Sequence, residues 1–441
     1  MNSTSSDSSG LRWYQGLDRY CWVVLLVAAL GWLFDTMDQN IFNLVRRPSL
    51  EAILATTDIP KDQIVDAAKK AAGDMTSIFL IGWAVGGFIF GILGDKLGRT
   101  RTMVMTILIY AIFTGLNGFA WSVESYGFMR FMTALGVGGE WAAGAALVAE
   151  VFPARSRAMA LGLLQALSAL GNIMAAIITL ILGDLTAEWR TAYWIGAVPA
   201  LLVLWIRSSI KEPEQWVNAR HHTAAEELGN ISQLFTDPVL RRNTTAAVLM
   251  AAAGVGALWG VGFFSVDMLQ GEMSAAVPDR VLRGRMISFV FILQNAGAFF
   301  GIYLFAMLAE HLNRRKAFFL WFCLAWGSLL LFFWGVQGAG EQAFPRATVL
   351  AFIMGFCTLG PFSGYSVYFP ELFPTRLRTT GLGFCYNAAR ILAAGAPILL
   401  GQLAKSLGGY AQAATWVSAI YLFGLLGTYL GPETKGKPLP D

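Results

Sequence analysis

Eight stretches of this 441-residue chain run for 20 residues or more without a charged side chain: Met75 to Gly94, Thr102 to Val123, Ala158 to Gly183, Asn243 to Val266, Met286 to Ala309, Ala317 to Gly340, Ala347 to Pro370 and Ser406 to Pro432. A helix needs about 20 apolar residues to cross the hydrocarbon of a bilayer, where its backbone must satisfy its own hydrogen bonds. Four further candidates are shorter or carry charge: Cys21 to Leu44, Tyr126 to Ala149, Thr191 to Ile206 and Thr379 to Ala404. The expectation is an all-α membrane protein of twelve transmembrane helices. With 56% hydrophobic and only 14% charged residues, a soluble protein around one core is excluded.

Orientation follows from the loops. Placing the N-terminus inside puts 19 Lys and Arg residues on the inner side and 11 on the outer, with Arg130 and Arg390 inside spans. Positive loops stay in the cytosol, so both termini are expected to be cytoplasmic. Five of the outer charges fall between Asn43 and Asp74, a segment that reads as a solvated amphipathic helix. A net charge of +4 gives no basic surplus for nucleic acid. The Ser-rich start lacks the apolar core of a signal peptide and reads as a cytosolic tail. Cys21, Cys323, Cys357 and Cys385 sit in apolar segments at unrelated spacings, which suits neither a disulfide framework nor a metal site.

The chain repeats itself. Glu150, Val151, Phe152, Pro153, Ala154, Arg155, Ser156 and Arg157 recur 221 residues later as Glu371, Leu372, Phe373, Pro374, Thr375, Arg376, Leu377 and Arg378. A weaker echo pairs Asp95, Leu97, Arg99 and Arg101 with Glu310, Leu312, Arg314 and Lys316, at an offset of 215. Two echoes at nearly one offset imply two pseudo-symmetric six-helix bundles, expected at 21–207 and 243–432. A cytosolic linker at 208–242 would join them, with tails at 1–20 and 433–441. Paired bundles around a midplane site suit alternating access, in which the halves rock about the substrate.

These residues resemble the major facilitator superfamily over essentially the whole chain. The loop after the second span, with Gly91, Asp95, Lys96, Gly98, Arg99 and Arg101, is similar to the superfamily's cytoplasmic gating motif, with Thr100 where a second basic residue often stands. The fourth span, with Arg130, Gly136, Gly138, Gly139, Glu140 and Trp141, followed by Glu150, Pro153 and Arg157, resembles proton-coupled metabolite, sialate and phosphate symporters. Pro432, Glu433, Thr434, Lys435, Gly436 and Lys437 are like the tail of the sugar-porter-related group. Asp35 and Asp38 match the paired acids of aromatic-acid symporters, with Thr36 and Met37 in place of the usual glycine-aromatic pair. The resemblance implies a secondary transporter and leaves its substrate branch open.

An ionisable group within the hydrocarbon region is costly and marks a functional site by default. Five qualify: Asp35, Asp38, Arg130, Glu140 and Arg390. Asp35, Asp38, Gln39 and Phe42 fall on one narrow helical face. The two aspartates are candidates for proton coupling; the blander reading is an ion pair or cap, more so for Asp38 near the span's end. Glu140 is the third coupling candidate, since a buried carboxyl can carry a proton near neutral pH. Arg390 lies too deep to snorkel and should find an anion, either a protein carboxylate or a substrate held by its planar fork. Tyr386 and Asn387 share its side of the helix. Arg130, early in its span, either binds substrate or snorkels to the interface. Gln165 and Asn172 on the fifth span, Gln294 and Asn295 on the eighth, and Tyr365 on the tenth are further lining candidates, with helix-helix hydrogen bonding as the alternative. Trp259 and Tyr368 join them as aromatics facing a cavity.

The reading that follows is proton-coupled symport of a small organic anion, a carboxylate, in a multi-pass protein of the bacterial inner membrane. Arg390 would hold the carboxylate, Glu140 or Asp35 the proton, and Asp95 would latch the inner gate. Three acids against two arginines become neutral when one acid is protonated, and a neutral site reorients more cheaply through a low-dielectric state. A monomer without cofactors is expected, with sodium as the alternative coupling ion. A sugar or polyol symporter is the nearest alternative, and a non-transporting nutrient receptor comes after it. No zinc spacing, nucleophile elbow or phosphate-cradling glycine loop points to an enzyme.

Overall fold

The computed structural model describes residues 12–441 apart from 184, 199–204, 206–208, 259–261, 263 and 394–395. Among the described residues every regular element is helical. The first half contains α1 (Arg19–Leu54), α2 (Ile64–Leu97), α3 (Arg99–Asn117), α4 (Val123–Val151), α5 (Ala154–Ala166), α6 (Ser168–Leu182) and α7 (Leu185–Gly196). A short helix, α8 (Glu214–His222), lies in the connection. The second half contains α9 (Pro238–Ala257), α10 (Phe264–Glu272), α11 (Arg280–His311), α12 (Arg314–Val336), α13 (Ala343–Tyr368), α14 (Arg378–Ala393), α15 (Ala396–Leu407), α16 (Tyr410–Val417) and α17 (Tyr421–Leu430). Helices α5 and α6 make one span, divided at Leu167; α9 with α10, α14 with α15 and α16 with α17 make three more. The architecture is twelve spans in two six-helix bundles.

One expectation is corrected. The segment from Asn43 to Asp74 is not a separate amphipathic helix: α1 continues through Arg46, Arg47 and Pro48 to Leu54, and α2 starts at Ile64. Charge ends an uncharged run at the edge of the hydrocarbon, but a helix continues where its charges find partners. Arg46 donates to the Thr76 hydroxyl at 2.7 Å, and Arg47 pairs with Glu51 at 2.8 Å.

The pseudo-symmetry is visible in atomic packing. Gly82 and Gly86 of α2 lie against the backbone carbonyls of Phe131 and Leu135 on α4, so closely that a Cβ would overlap them. Gly297 and Gly301 of α11 lie in the same way against Phe352 and Phe356 of α13. Those glycines are separated by 215 residues and their carbonyl partners by 221, the offsets of the two sequence echoes. Small residues let helix backbones approach where lipid supplies no hydrophobic drive. The same offsets relate the contacts between the halves, where Gly383 of α14 meets Gly91 of α2 and Gly162 of α5 meets Ala306 of α11. Large apolar side chains such as Ile81, Ile89, Ile112, Phe300 and Leu422 point outward, as lipid-facing residues do.

Candidate functional site

The two aspartates of α1 go to different partners. Asp38 accepts a hydrogen bond from the Thr114 hydroxyl at 2.7 Å and lies 3.6 Å from Arg130 Nη1. Arg130 also donates to Asn117 Oδ1 at 3.0 Å and Thr133 Oγ1 at 3.2 Å, with its guanidinium carbon 5.1 Å from the Phe42 ring and 4.8 Å from the Tyr193 ring. Arg130 does not snorkel: its side chain and that of Asp38 are fully buried. The knot lies within the first bundle.

Asp35 faces Glu140 instead. Glu140 reaches from α4 to rest its carboxyl on Gly31, one turn before Asp35, and the two carboxyl groups meet there. All four oxygens are buried with no hydrogen-bond donor among the described residues. The indole N–H of Trp32, also on α1, is buried without an acceptor among the described residues. Across the interface, Arg390 of α14 donates from Nη1 to Asn387 Oδ1 at 2.9 Å, while its Nε is buried and unpartnered. Its charge is within electrostatic range of Asp35. Buried polar groups are ordinarily paired, so this concentration of open donors and acceptors at the meeting of the halves marks the candidate site.

The remaining candidates fall around it. Gln165 accepts from the Trp141 indole at 3.0 Å. Asn172 bridges the halves, accepting from Asn40 at 2.5 Å and donating to Asn295 at 2.8 Å. Gln294 is buried where its backbone meets Gly355, and Gln39 is half-buried. Tyr386 stacks on Trp141 with centroids 4.3 Å apart, and Asn387 lies against Gly87. The Tyr365 hydroxyl is used inside the second bundle, on the Met250 carbonyl at 2.7 Å, and that of Tyr368 on the Pro432 carbonyl at 2.5 Å. Neither hydroxyl points at the Asp35 cluster. Trp259 lies outside the described residues.

At one end of the bundles, the loop after α2 joins the halves. Asp95 accepts from the backbone N–H of Thr379 at 3.2 Å and of Thr380 at 2.8 Å, and from the Thr380 hydroxyl at 2.7 Å, while pairing with Arg99 at 3.1 Å. It thus caps the start of α14, placing a carboxylate at the positive end of a helix in the other bundle. Arg99 donates to Glu150 Oε1 at 2.8 Å and to the Thr375 carbonyl at 2.6 Å; Arg378 donates to the same Glu150 oxygen at 2.7 Å. Gly91 faces the Thr379 carbonyl. Gly98, with φ of +112°, makes a turn that only glycine adopts freely. Lys96 and Arg101 are exposed, and the Arg101 N–H meets Glu212.

Sequence reasoning missed Glu212 and the capping role of Glu433. Glu212 accepts from the N–H groups of Thr100 and Arg101, capping α3, and Glu433 accepts from those of Arg314 and Arg315, capping α12. The signal was present: 212 and 433 differ by the repeat offset of 221. Burial pushes the Glu433 carboxyl up, but N–H bonds from Lys435, Arg314 and Arg315 win and hold it below the usual carboxylate range. Trp32 and Trp83 around the site had no spacing that distinguished them from packing aromatics, and Trp141 was marked only as part of the fourth-span motif.

Residues 29–278 match the Major Facilitator Superfamily, and residues 286–441 match the family Sugar (and other) transporter. A probable 4-methylmuconolactone transporter of Cupriavidus pinatubonensis is 32% identical, covering 92% of this chain and 89% of that protein. The sialic acid transporter NanX of Escherichia coli is 27% identical, covering 96% and 97%, and a cis,cis-muconate transport protein of Acinetobacter baylyi is 28% identical, covering 87% of each. Among solved structures, the proton:xylose symporter XylE superposes with a TM-score of 0.72 over 95% of this chain and 98% of that one, at 16% identity, which speaks for the fold. With twelve spans, two related bundles and sequence matches along most of its length, the chain is an integral, multi-pass membrane transporter, not an enzyme, and belongs to the Major Facilitator Superfamily.

Proposed function

We propose that the protein carries a small organic carboxylate across the bacterial inner membrane together with protons, by alternating access, as a monomer with both termini in the cytosol. The observation that carries this reading is the pair Asp35 and Glu140, four buried oxygens without a donor, set opposite an arginine of the other half whose Nε has no acceptor. Two facing carboxyls satisfy each other only through a shared proton, since like charges at contact cannot both stay ionised. Arg390 offers a planar fork suited to a carboxylate. Proton and substrate would sit on opposite halves, and binding of both would draw the halves together. Asp95 would then act as the inner latch, holding α14 until the loaded carrier turns.

The names of the relatives support the substrate class: cis,cis-muconate is a carboxylate, and 4-methylmuconolactone belongs to the same chemistry. The match of the second half to sugar transporters favours a polyol as the alternative. Purified protein in proteoliposomes separates the two. An inward proton gradient should drive accumulation of cis,cis-muconate or 4-methylmuconolactone, and a protonophore should abolish it. Accumulation that follows sodium and ignores the protonophore would refute proton coupling; accumulation of xylose alone would refute the carboxylate.

A further inference from the structure

Arg390 has unusual surroundings for a buried cation. No carboxylate oxygen of the described residues lies within 4.0 Å of it. Two aromatic rings cover it instead: its guanidinium carbon is 3.9 Å from the Trp83 ring centre and 4.1 Å from that of Tyr386. Trp83 belongs to α2 in the first half, and Tyr386 to the arginine's own helix one turn earlier. Tyr386 stacks in turn on Trp141 of α4, with the planes inclined at 22°. The second half's buried charge is thus held against the first half by ring faces.

A ring face attracts a cation, more strongly when both are out of water. It does so without occupying the N–H edge of the guanidinium, the edge on which a carboxylate forms its paired hydrogen bonds. Arg390 keeps Nε open while Trp83 covers its face. The ring and a carboxylate use different parts of one group and need not exclude each other.

We propose that Trp83 is a positioning residue for the substrate-free half of the cycle, sheltering the Arg390 charge while the empty carrier reorients. The proposal rests on the reading above, in which Arg390 takes the substrate's carboxylate. A loaded carrier turns with that charge matched by the substrate. An empty one must carry a guanidinium with no carboxylate oxygen of the described residues within 4.0 Å through a closed, low-dielectric state, which is costly unless the chain supplies a closer partner. Trp83 is 97% buried and sits at the interface that must close, with Gly138 of α4 against its backbone and Phe79 edge-on to its ring at 5.6 Å.

Net uptake requires the empty return, whereas counterflow, with the same acid on both sides, does not. Proteoliposomes should be assayed in both modes, using whichever of cis,cis-muconate and 4-methylmuconolactone the wild type accumulates. In Trp83→Leu, net proton-driven uptake should fall about tenfold while counterflow stays within about twofold, and Trp83→Phe should lie between. Replacing Trp83 with tryptophans of increasing fluorine content weakens the ring's attraction and keeps its shape. Net uptake should then decline stepwise with fluorine while counterflow stays level. A parallel fall in both modes across the fluorinated series, or no change in either, overturns the proposal and leaves the carboxylate reading standing. A wild type that moves neither acid in either mode removes both.

Discussion

Arg130 and Arg390 are both arginines within apolar spans, both are buried, and both touch two aromatic rings. They differ in who answers the charge. Arg130 is met by a carboxylate, an amide and a hydroxyl, all from the first bundle. Arg390 has one amide oxygen from its own helix, and its ring partners come from both bundles. Under the proposed alternating access, a charge satisfied inside one bundle would keep its partners as the halves rock, stabilising that bundle and taking little part in the cycle. A charge left partly open where the two halves meet would change partners with every turn, and a ligand could be one of them.

Removing each counterpart tests this division, and the largest effect should come from the closed knot. Asp38→Asn leaves Arg130 buried without its carboxylate, so stability in detergent should fall by about 3–5 kcal/mol, read as a lowered unfolding temperature. Unchanged thermal stability would mean that the knot is less closed than its geometry implies. Arg390→Lys should do the opposite. The protein should stay as stable as the wild type, while affinity for the transported carboxylate falls about tenfold to a hundredfold, the worth of a charge-assisted contact. Equal affinity in a binding titration would return Arg390 to a purely structural role.

The same contrast between a bond inside one bundle and a bond across two recurs at the end of the bundles where Asp95 lies. Asp95 is fully buried and caps a helix of the other half, whereas its counterpart Glu310 is 32% exposed and, among the described residues, bonds only Arg314 of its own half. Asp95→Asn should slow transport by up to about tenfold with equilibrium binding intact, because a charged acceptor at a helix start is lost far from the site. Glu310→Gln should alter stability by no more than about 0.5 kcal/mol and leave transport rates unchanged, as exposed pairs usually do. A Glu310 variant as slow as the Asp95 variant would show two working latches instead of one.

The spans were legible because hydrocarbon tolerates so little charge that its thickness is written into the uncharged runs. The repeat was legible too, since Arg99 with Glu150 and Arg314 with Glu371 are the same bridge at offsets of 215 and 221. Asp35, Glu140 and Arg390 stood out as intramembrane charges, and the structure brings them to one place. The pairing of Arg130 with Asp38 was not legible, because it depends on how α1 and α4 are rotated about their axes, which apolar residues on all faces leave unmarked. Trp83 was hidden for a related reason: among 15 tryptophans, only the crossing of α2 over α14 singles it out. Likewise the end of α1 at Leu54 is set by bonds of Arg46 and Arg47 to later residues.

The carboxylate of Glu212 that closes the start of α3 also sets a clock during synthesis. Thr100 and Arg101 enter the membrane surface 112 and 111 residues before their acceptor exists. At about 5–20 residues per second, those N–H groups wait roughly 5 to 20 s for it. Assembly of the first bundle is therefore expected in two stages, insertion of its helices and later fastening by a segment that follows them. A first half ended at residue 207 should insert yet remain loose at α3, whereas one carried through α8, where the Trp216 indole also donates to the Asp95 carbonyl at 2.8 Å, should fasten. Limited proteolysis of the two fragments at the turn around Gly98 would read the difference, with faster cutting of the shorter one.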